Sequence, residues 1–176
     1  MNFRACIIPS VALFATLVSL PQSRARAQSS GSATVAMTAQ VVQPLTVSAS
    51  RPLDFGSVFV GNNKTIAPSA ATAGQVDIKG QSNANISVTL TMPTMLMLGN
   101  TGTGLTLNNW NYSTSLAPTP VSFPGQSSTP IAMTLPTSAS YGRITLNIGA
   151  TASAAAGQTP GDYTGSGQIT VTYTDL

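Results

Sequence analysis

Apolar and polar residues alternate along much of this chain, and a period of two is typical of half-buried β-strands. The alternation is clean in "SATVAMTAQV", where one face carries Val35, Met37, Ala39 and Val41. It resumes after Pro44 in "LTVSAS", and a proline inside a strand ladder belongs at an edge or a break. Residues 33–49 are therefore predicted to form two strand segments joined with little or no turn.

The same pattern predicts further short strands separated by turn and loop signals. They are "QVDIKG", "NISVTLTM", "LTLNNWNYS", "IAMTLP", "GRITLNIGA" and the terminal "QITVTYT", in which one face carries Ile169, Val171 and Tyr173. In "LDFGSVFVG" the apolar residues alternate around Gly56, which permits a bend. Residues 117–130 are predicted to form a proline-rich loop. Because no stretch has a convincing helical period, the pattern indicates an all-β fold.

The first 27 residues are typical of a secretory signal peptide. Arg4 precedes an apolar core that is too short for a transmembrane helix, and Ala25-Arg26-Ala27 forms an A-x-A cleavage pattern. An uncleaved membrane anchor is the alternative. We expect cleavage after Ala27, an N-terminal strand over residues 28–42, a β-sandwich domain over residues 43–176, and no membrane span once the signal is removed.

Charge and residue types exclude several classes of function. Three of the seven basic residues precede residue 28, so the remainder balances four basic residues against four aspartates. There is no clustered Lys or Arg of the kind that nucleic acid requires. After residue 27 the chain has no Cys, His or Glu, which leaves no predicted catalytic residues, no thiolate or imidazole metal site and no cofactor. We therefore predict a protein that is not an enzyme.

The segment "NNWNYS" allows two interpretations. Trp110 and Tyr112 could be stacking platforms beside amide side chains in a sugar-binding loop. Alternatively, they are alternate residues on one strand face and fill the core, as Trp and Tyr usually bury most of their area.

Two end motifs and the middle of the chain resemble known bacterial families. The start, "ATVAMTAQVVQPLTVSASRPLDFGSV", resembles spore-coat-U-type pilin domains of the archaic chaperone–usher class, which have an L-x-F-G turn where this chain has Leu53-Asp54-Phe55-Gly56. The ending, "PGDYTGSGQITVTY", matches their closing motif at Gly161, Tyr163, Gly165, Ile169, Val171 and Tyr173. The middle is more similar to the secreted bacterial family called domain of unknown function 4402. The cysteine that precedes the second strand in spore-coat-U pilins is absent, since Gln43-Pro44-Leu45 stand there.

The resemblance implies an immunoglobulin-like β-sandwich, pilin-like, that lacks its final strand. It also implies an exported protein of the periplasm, cell surface or an extracellular fibre. Its partners would be other copies or related pilin subunits, with a periplasmic chaperone and an outer-membrane usher. A stand-alone secreted module for glycan binding or surface adhesion is the alternative function.

Strand addition would account for the alternation at both ends of the chain. A sandwich without its last strand exposes a groove and an unpaired edge, which another chain fills by adding a strand. Val35, Met37, Ala39 and Val41 are the predicted donor-strand residues, and the strand of Ile169, Val171 and Tyr173 is the predicted acceptor edge. The alternation serves equally well for a strand that pairs within its own chain.

Overall fold

The structure is a computed structural model that describes residues 30–99, 102–126 and 129–175. The predicted signal peptide and its cleavage site lie outside the described residues. The chain divides into two units, Met1–Ala39 and Gln40–Leu176. Within the first unit, residues 30–39 form no strand and are exposed.

The second unit is built from short strands, and its described residues contain no helix. The strands are β1 (Thr46–Arg51), β2 (Asn63–Ile66), β3 (Gly74–Gly80), β4 (Asn85–Thr91), β5 (Met95–Leu98), β6 (Gly104–Thr114), β7 (Val121–Ser122), β8 (Ile131–Thr134), β9 (Gly142–Ser153), β10 (Tyr163–Thr164) and β11 (Gln168–Tyr173).

These strands form two sheets in which every described pairing is antiparallel. The larger sheet has the order β1-β3-β9-β6-β5-β10, with β2 beside β9 and β7 beside β6. The smaller sheet has the order β11-β4-β8. The predicted all-β fold is thus confirmed, with its strands in two antiparallel sheets.

The core lies between the two sheets and follows the period of two. Alternate residues of β3, β4 and β9 point inward, and the side chains of Ile78, Val88, Leu90 and Leu146 have no exposed surface. The intervening residues are polar or small, as expected for strands with one solvated face.

Two stretches of chain pass from one sheet to the other, and they pair with each other in both sheets. β4 continues through Pro93 into β5, and β10 continues through Gly165 and Gly167 into β11. Because β10 pairs with β5 and β11 pairs with β4, the four strands form one long, kinked antiparallel pair. The chain therefore has a continuous margin from Tyr163 to Tyr173.

The alternating residues of "LDFGSVFVG" lie in a loop. Residues 52–59 form no strand, Gly56 takes a φ of 55° where the bend was expected, and Val60 and Gly61 form a turn. Phe55 is buried in the core, whereas Phe59 is exposed to solvent.

Candidate strand-acceptor site

The smaller sheet ends at β11. All six residues of β11 pair with β4, from Gln168 opposite Thr91 to Tyr173 opposite Ile86, and among the described residues β11 has no partner on its other side. At its end the strand is anchored, since the Asp175 carboxylate accepts hydrogen bonds from the Asn85 backbone N–H at 3.0 Å and the Asn85 amide at 2.8 Å. An ordered edge of this kind presents backbone N–H and C=O groups to an incoming strand.

The inward face of β11 is incompletely covered. Ile169, Val171 and Tyr173 pack against the core but are only half-buried. Their neighbours across the ladder, Leu90, Val88 and Ile86, are at most 1% exposed. The core-facing side chains of β11 are therefore less buried than those of the adjacent β4, as they would be where the next strand of the sheet is missing.

The core-facing side chains of β1, the edge strand of the larger sheet, are also incompletely covered. Val47 lies opposite the fully buried Ile78 and so faces the core, yet it is 40% exposed. Ala49, opposite Val76, is also exposed. We use the name open margin for the core-facing residues along both edges, which are Leu45 immediately before β1, Val47 and Ala49 of β1, and Ile169, Val171 and Tyr173 of β11.

The two sides of the open margin meet at one end, here called the base end. The Tyr173 hydroxyl donates a hydrogen bond to the Gln43 carbonyl at 2.9 Å and accepts one from the Gln81 N–H at 2.6 Å. Gly80 lies beneath this contact, where a Cβ atom would collide with the Tyr173 hydroxyl and press on Leu45. Since β1 and β3 run antiparallel, as do β4 and β11, β1 leaves the base end while β11 arrives there.

The opposite end, here called the tip end, opens into a cavity of about 660 Å³. Both sides of the open margin reach it, because Leu53 follows β1 and Tyr163 begins β10, and both line the cavity. Phe59 and Val60 form part of its rim. The two sides of the open margin are thus joined at the base end and approach each other again at this cavity.

The far edge of the smaller sheet provides a contrast. Ile131 and Met133 of β8 are also half-buried, but β8 has only four residues. It is bounded by Pro130 and Pro136, which lack the N–H that a ladder needs. Between Gly161 and Asp175 the β10–β11 margin contains no proline, so no backbone N–H group is missing along it.

Residues 45–173 match the model of a family described as a domain of unknown function, DUF4402. The chain belongs to the DUF4402 family. No curated protein matches it. A solved structure whose title describes a chaperone–usher pilus is similar, with 20% sequence identity and a TM-score of 0.41 over 89% of this chain and 99% of that one.

The predicted donor residues adjoin the matched region of the DUF4402 chain. In the first unit, Val35 is 74% exposed and Met37 is 90% exposed. In the second unit, Val41 is 96% exposed and precedes the match by four residues. The roles assigned to these residues and to the acceptor edge stay predictions.

A β-bulge in β6 turns the Trp110 side chain of the DUF4402 domain toward the core. The pairing of β6 with β9 shifts by one residue between Asn108 and Asn111, and Asn109 takes a φ of 50°. The inward phase of β6, set by Leu105 and Leu107, therefore changes to Trp110 and Tyr112. An extra residue reverses which side chains face inward, because successive side chains of a strand alternate.

The Trp110 indole is covered by the proline-rich loop. Its ring centroid lies 6.2 Å from that of Phe123, and Gly125 passes so close that a Cβ atom would collide with the indole. Trp110 is 6% exposed, although it lines a recess of about 310 Å³ with Asn108 and Asn109. The ligand loop of Trp110 and Tyr112 stays a hypothesis, and the burial favours the core alternative.

The ionisable groups of the DUF4402 domain are few and dispersed. Asp77 accepts hydrogen bonds from the Thr145 hydroxyl at 2.7 Å and the Arg143 guanidinium at 2.8 Å, which hold the pKa of Asp77 below its ordinary value. Within the described residues, no three His, Cys, Asp or Glu side chains gather where they could hold a metal ion. No helix in that part of the chain has the length and apolarity to cross a membrane.

Proposed function

We propose that this DUF4402 protein is a pilin-like structural subunit, exported to the periplasm, cell surface or an extracellular fibre, that polymerises by donor-strand complementation. Residues 31–42 of one copy add as a strand to the β11 edge of another. The observation that carries the proposal is the open margin, where core-facing side chains are exposed in β1 and only half-buried in β11, beside buried neighbours in the adjacent strands.

The exposed N-terminal segment has the side-chain pattern that this groove requires. A strand places every second side chain on one face, so Val35, Met37, Ala39 and Val41 would enter the groove together. Burying Val35, Met37 and Val41 at about 1.5–3 kcal/mol each would contribute roughly 5–9 kcal/mol as an upper bound. That is comparable to the whole stability of a typical domain.

A subunit without a donor would consequently be marginal and prone to aggregation through its open edge. A periplasmic chaperone that supplies a temporary strand, and an outer-membrane usher that organises assembly, are the partners that such a subunit needs. Chaperone and usher genes beside this gene would support their involvement.

A truncated chain that begins at Gln43 tests the proposal directly. It should fold poorly alone and be rescued by a synthetic peptide of residues 31–42, followed by circular dichroism and calorimetric titration. A stable, soluble, truncated monomer that ignores the peptide would rule out donor-strand complementation.

Two peptide variants provide a matched control without altering the acceptor. In Met37→Asp a charge would enter the groove, whereas in Thr38→Asp the same charge would point to solvent on the opposite face. We expect loss of rescue with the first peptide and near-normal rescue with the second. Equal behaviour of the two peptides would contradict one-sided insertion.

A further inference from the structure

An exposed apolar turn marks the tip end of the open margin. Phe59 is 75% exposed and Val60 is 46% exposed, and both stand on the rim of the cavity that Leu53 and Tyr163 also line. Large apolar side chains grouped on a rim, unlike those scattered singly over a surface, mark sites of interaction.

The link between the donor segment and its own domain is short. Only Gln43 and Pro44 separate Val42 from Leu45, which lies at the base end beside Gly80. Gln43 is itself held there through its N–H to the Gln81 side chain and its carbonyl to Tyr173. Three Cα–Cα steps span about 11 Å at most, so the base end of a donating copy must lie close to the point where its strand leaves the groove.

The direction of the incoming strand determines where that point is. β11 runs toward the base end, so a strand parallel to β11 would also leave the groove there. The acceptor's own donor segment also leaves from the base end. The copy that donates a strand to the acceptor and the copy that receives one from it would therefore crowd together at that end. An antiparallel strand leaves at the tip end and places the two neighbours at opposite ends of each copy.

We propose that Phe59 and Val60 form a docking surface for the base end of the next copy of this chain. This inference rests on the proposed donor-strand complementation and adds a second, body-to-body contact to it. The base end carries apolar surface to meet the turn, since Val42 is 38% exposed and Tyr141, which precedes the base-end residue Gly142, is 45% exposed.

Valine provides a matched pair of positions for the test. Val60 lies on the tip turn, whereas Val121 lies in β7 beside β6, away from both edge strands of the open margin, and each is 46% exposed. The full chain is prepared as wild type, Phe59→Ser, Phe59→Leu, Val60→Ser and Val121→Ser. Sedimentation velocity over a concentration series gives the copy–copy dissociation constant, and hydrogen exchange reports the protection of residues 31–42.

We expect Phe59→Ser to weaken association about tenfold or more, because an aromatic side chain no longer becomes buried. Val60→Ser should weaken association by a smaller factor, while Phe59→Leu and Val121→Ser should stay within about twofold of wild type. Polymers that still form should protect residues 31–42 in every variant.

Two results would overturn the inference, and they are distinguishable. Wild-type association in both Phe59→Ser and Val60→Ser would remove the body-to-body contact and leave strand addition standing. A wild-type protein that neither associates nor protects residues 31–42 would remove strand addition itself, and the docking surface with it.

Discussion

Replacing Trp110 with alanine tests whether "NNWNYS" is core or ligand loop. The indole is 6% exposed, packs on Phe123 and lies against Gly125, so the substitution leaves a cavity beneath the proline-rich loop. Truncation of a buried Trp to Ala costs about 3–5 kcal/mol. Since domains are stable by only about 5–15 kcal/mol, this loss would remove a large part of the total.

Equilibrium urea unfolding followed by far-ultraviolet circular dichroism measures this loss. Tyr112→Phe is the control, because Tyr112 also packs edge-on against Phe123 but the substitution retains its ring. We expect a change below about 0.5 kcal/mol for the control, as for substitutions that create no cavity. Trp110 is the only tryptophan in the chain, so wild-type fluorescence gives an independent reading of its environment.

A Trp110→Ala protein that stays as stable as wild type would refute the assignment of Trp110 to the core. If that stable variant had also lost binding on a glycan array to which the wild type binds, the sugar-binding loop would be the better interpretation. Quenching of the wild-type fluorescence by a bound oligosaccharide would point the same way.

Two further substitutions have defined outcomes. Gly80→Ala should lower the stability by about 1–3 kcal/mol, because the added Cβ displaces the Tyr173 hydroxyl, and thermal unfolding would detect the loss; an unchanged melting temperature would contradict the tight base-end contact. Asp77→Asn should cost about 1 kcal/mol at neutral pH, since the carboxylate loses charge-assisted hydrogen bonds from Thr145 and from the half-exposed Arg143. Because folding lowers the pKa of Asp77 from an ordinary value of 3.8, its contribution is present above that value and disappears as the pH falls through the folded pKa. Wild type and Asp77→Asn should therefore converge in melting temperature as the pH falls below 3.8 and Asp77 becomes protonated in the folded protein, whereas a difference that stays constant through the whole acid titration would show that the carboxylate charge is irrelevant.

The sequence predicted the central strands well because their burial is decided locally. In "NISVTL" and "GRITLNI" every second residue is apolar, and these strands lie in the middle of the sandwich where one face meets the core. Among the strands of two to four residues, β8 was predicted but β2, β5, β7 and β10 were not, because so few residues show little of a period.

Only the tertiary structure decided that the Trp110 side chain faces the core and not solvent. The bulge at Asn109 adds one residue to β6, and a single residue reverses which face is inward. The sequence placed Trp110 and Tyr112 on the same face but could not choose between core and solvent, because that choice depends on Phe123 and Gly125 in a distant loop.

By itself the sequence determined that both ends of the chain can be strands, that its charges balance after residue 27 and that the fold is all-β. Tertiary structure decided that β1 and β11 are edge strands whose margins meet at the base end, since pairing joins residues far apart in the chain and burial depends on neighbouring strands. The half-burial of Ile169 and Val171 beside fully buried Leu90 and Val88 is visible only there. An alternating pattern states that one face of a strand is apolar, whereas packing decides how much of that face is covered.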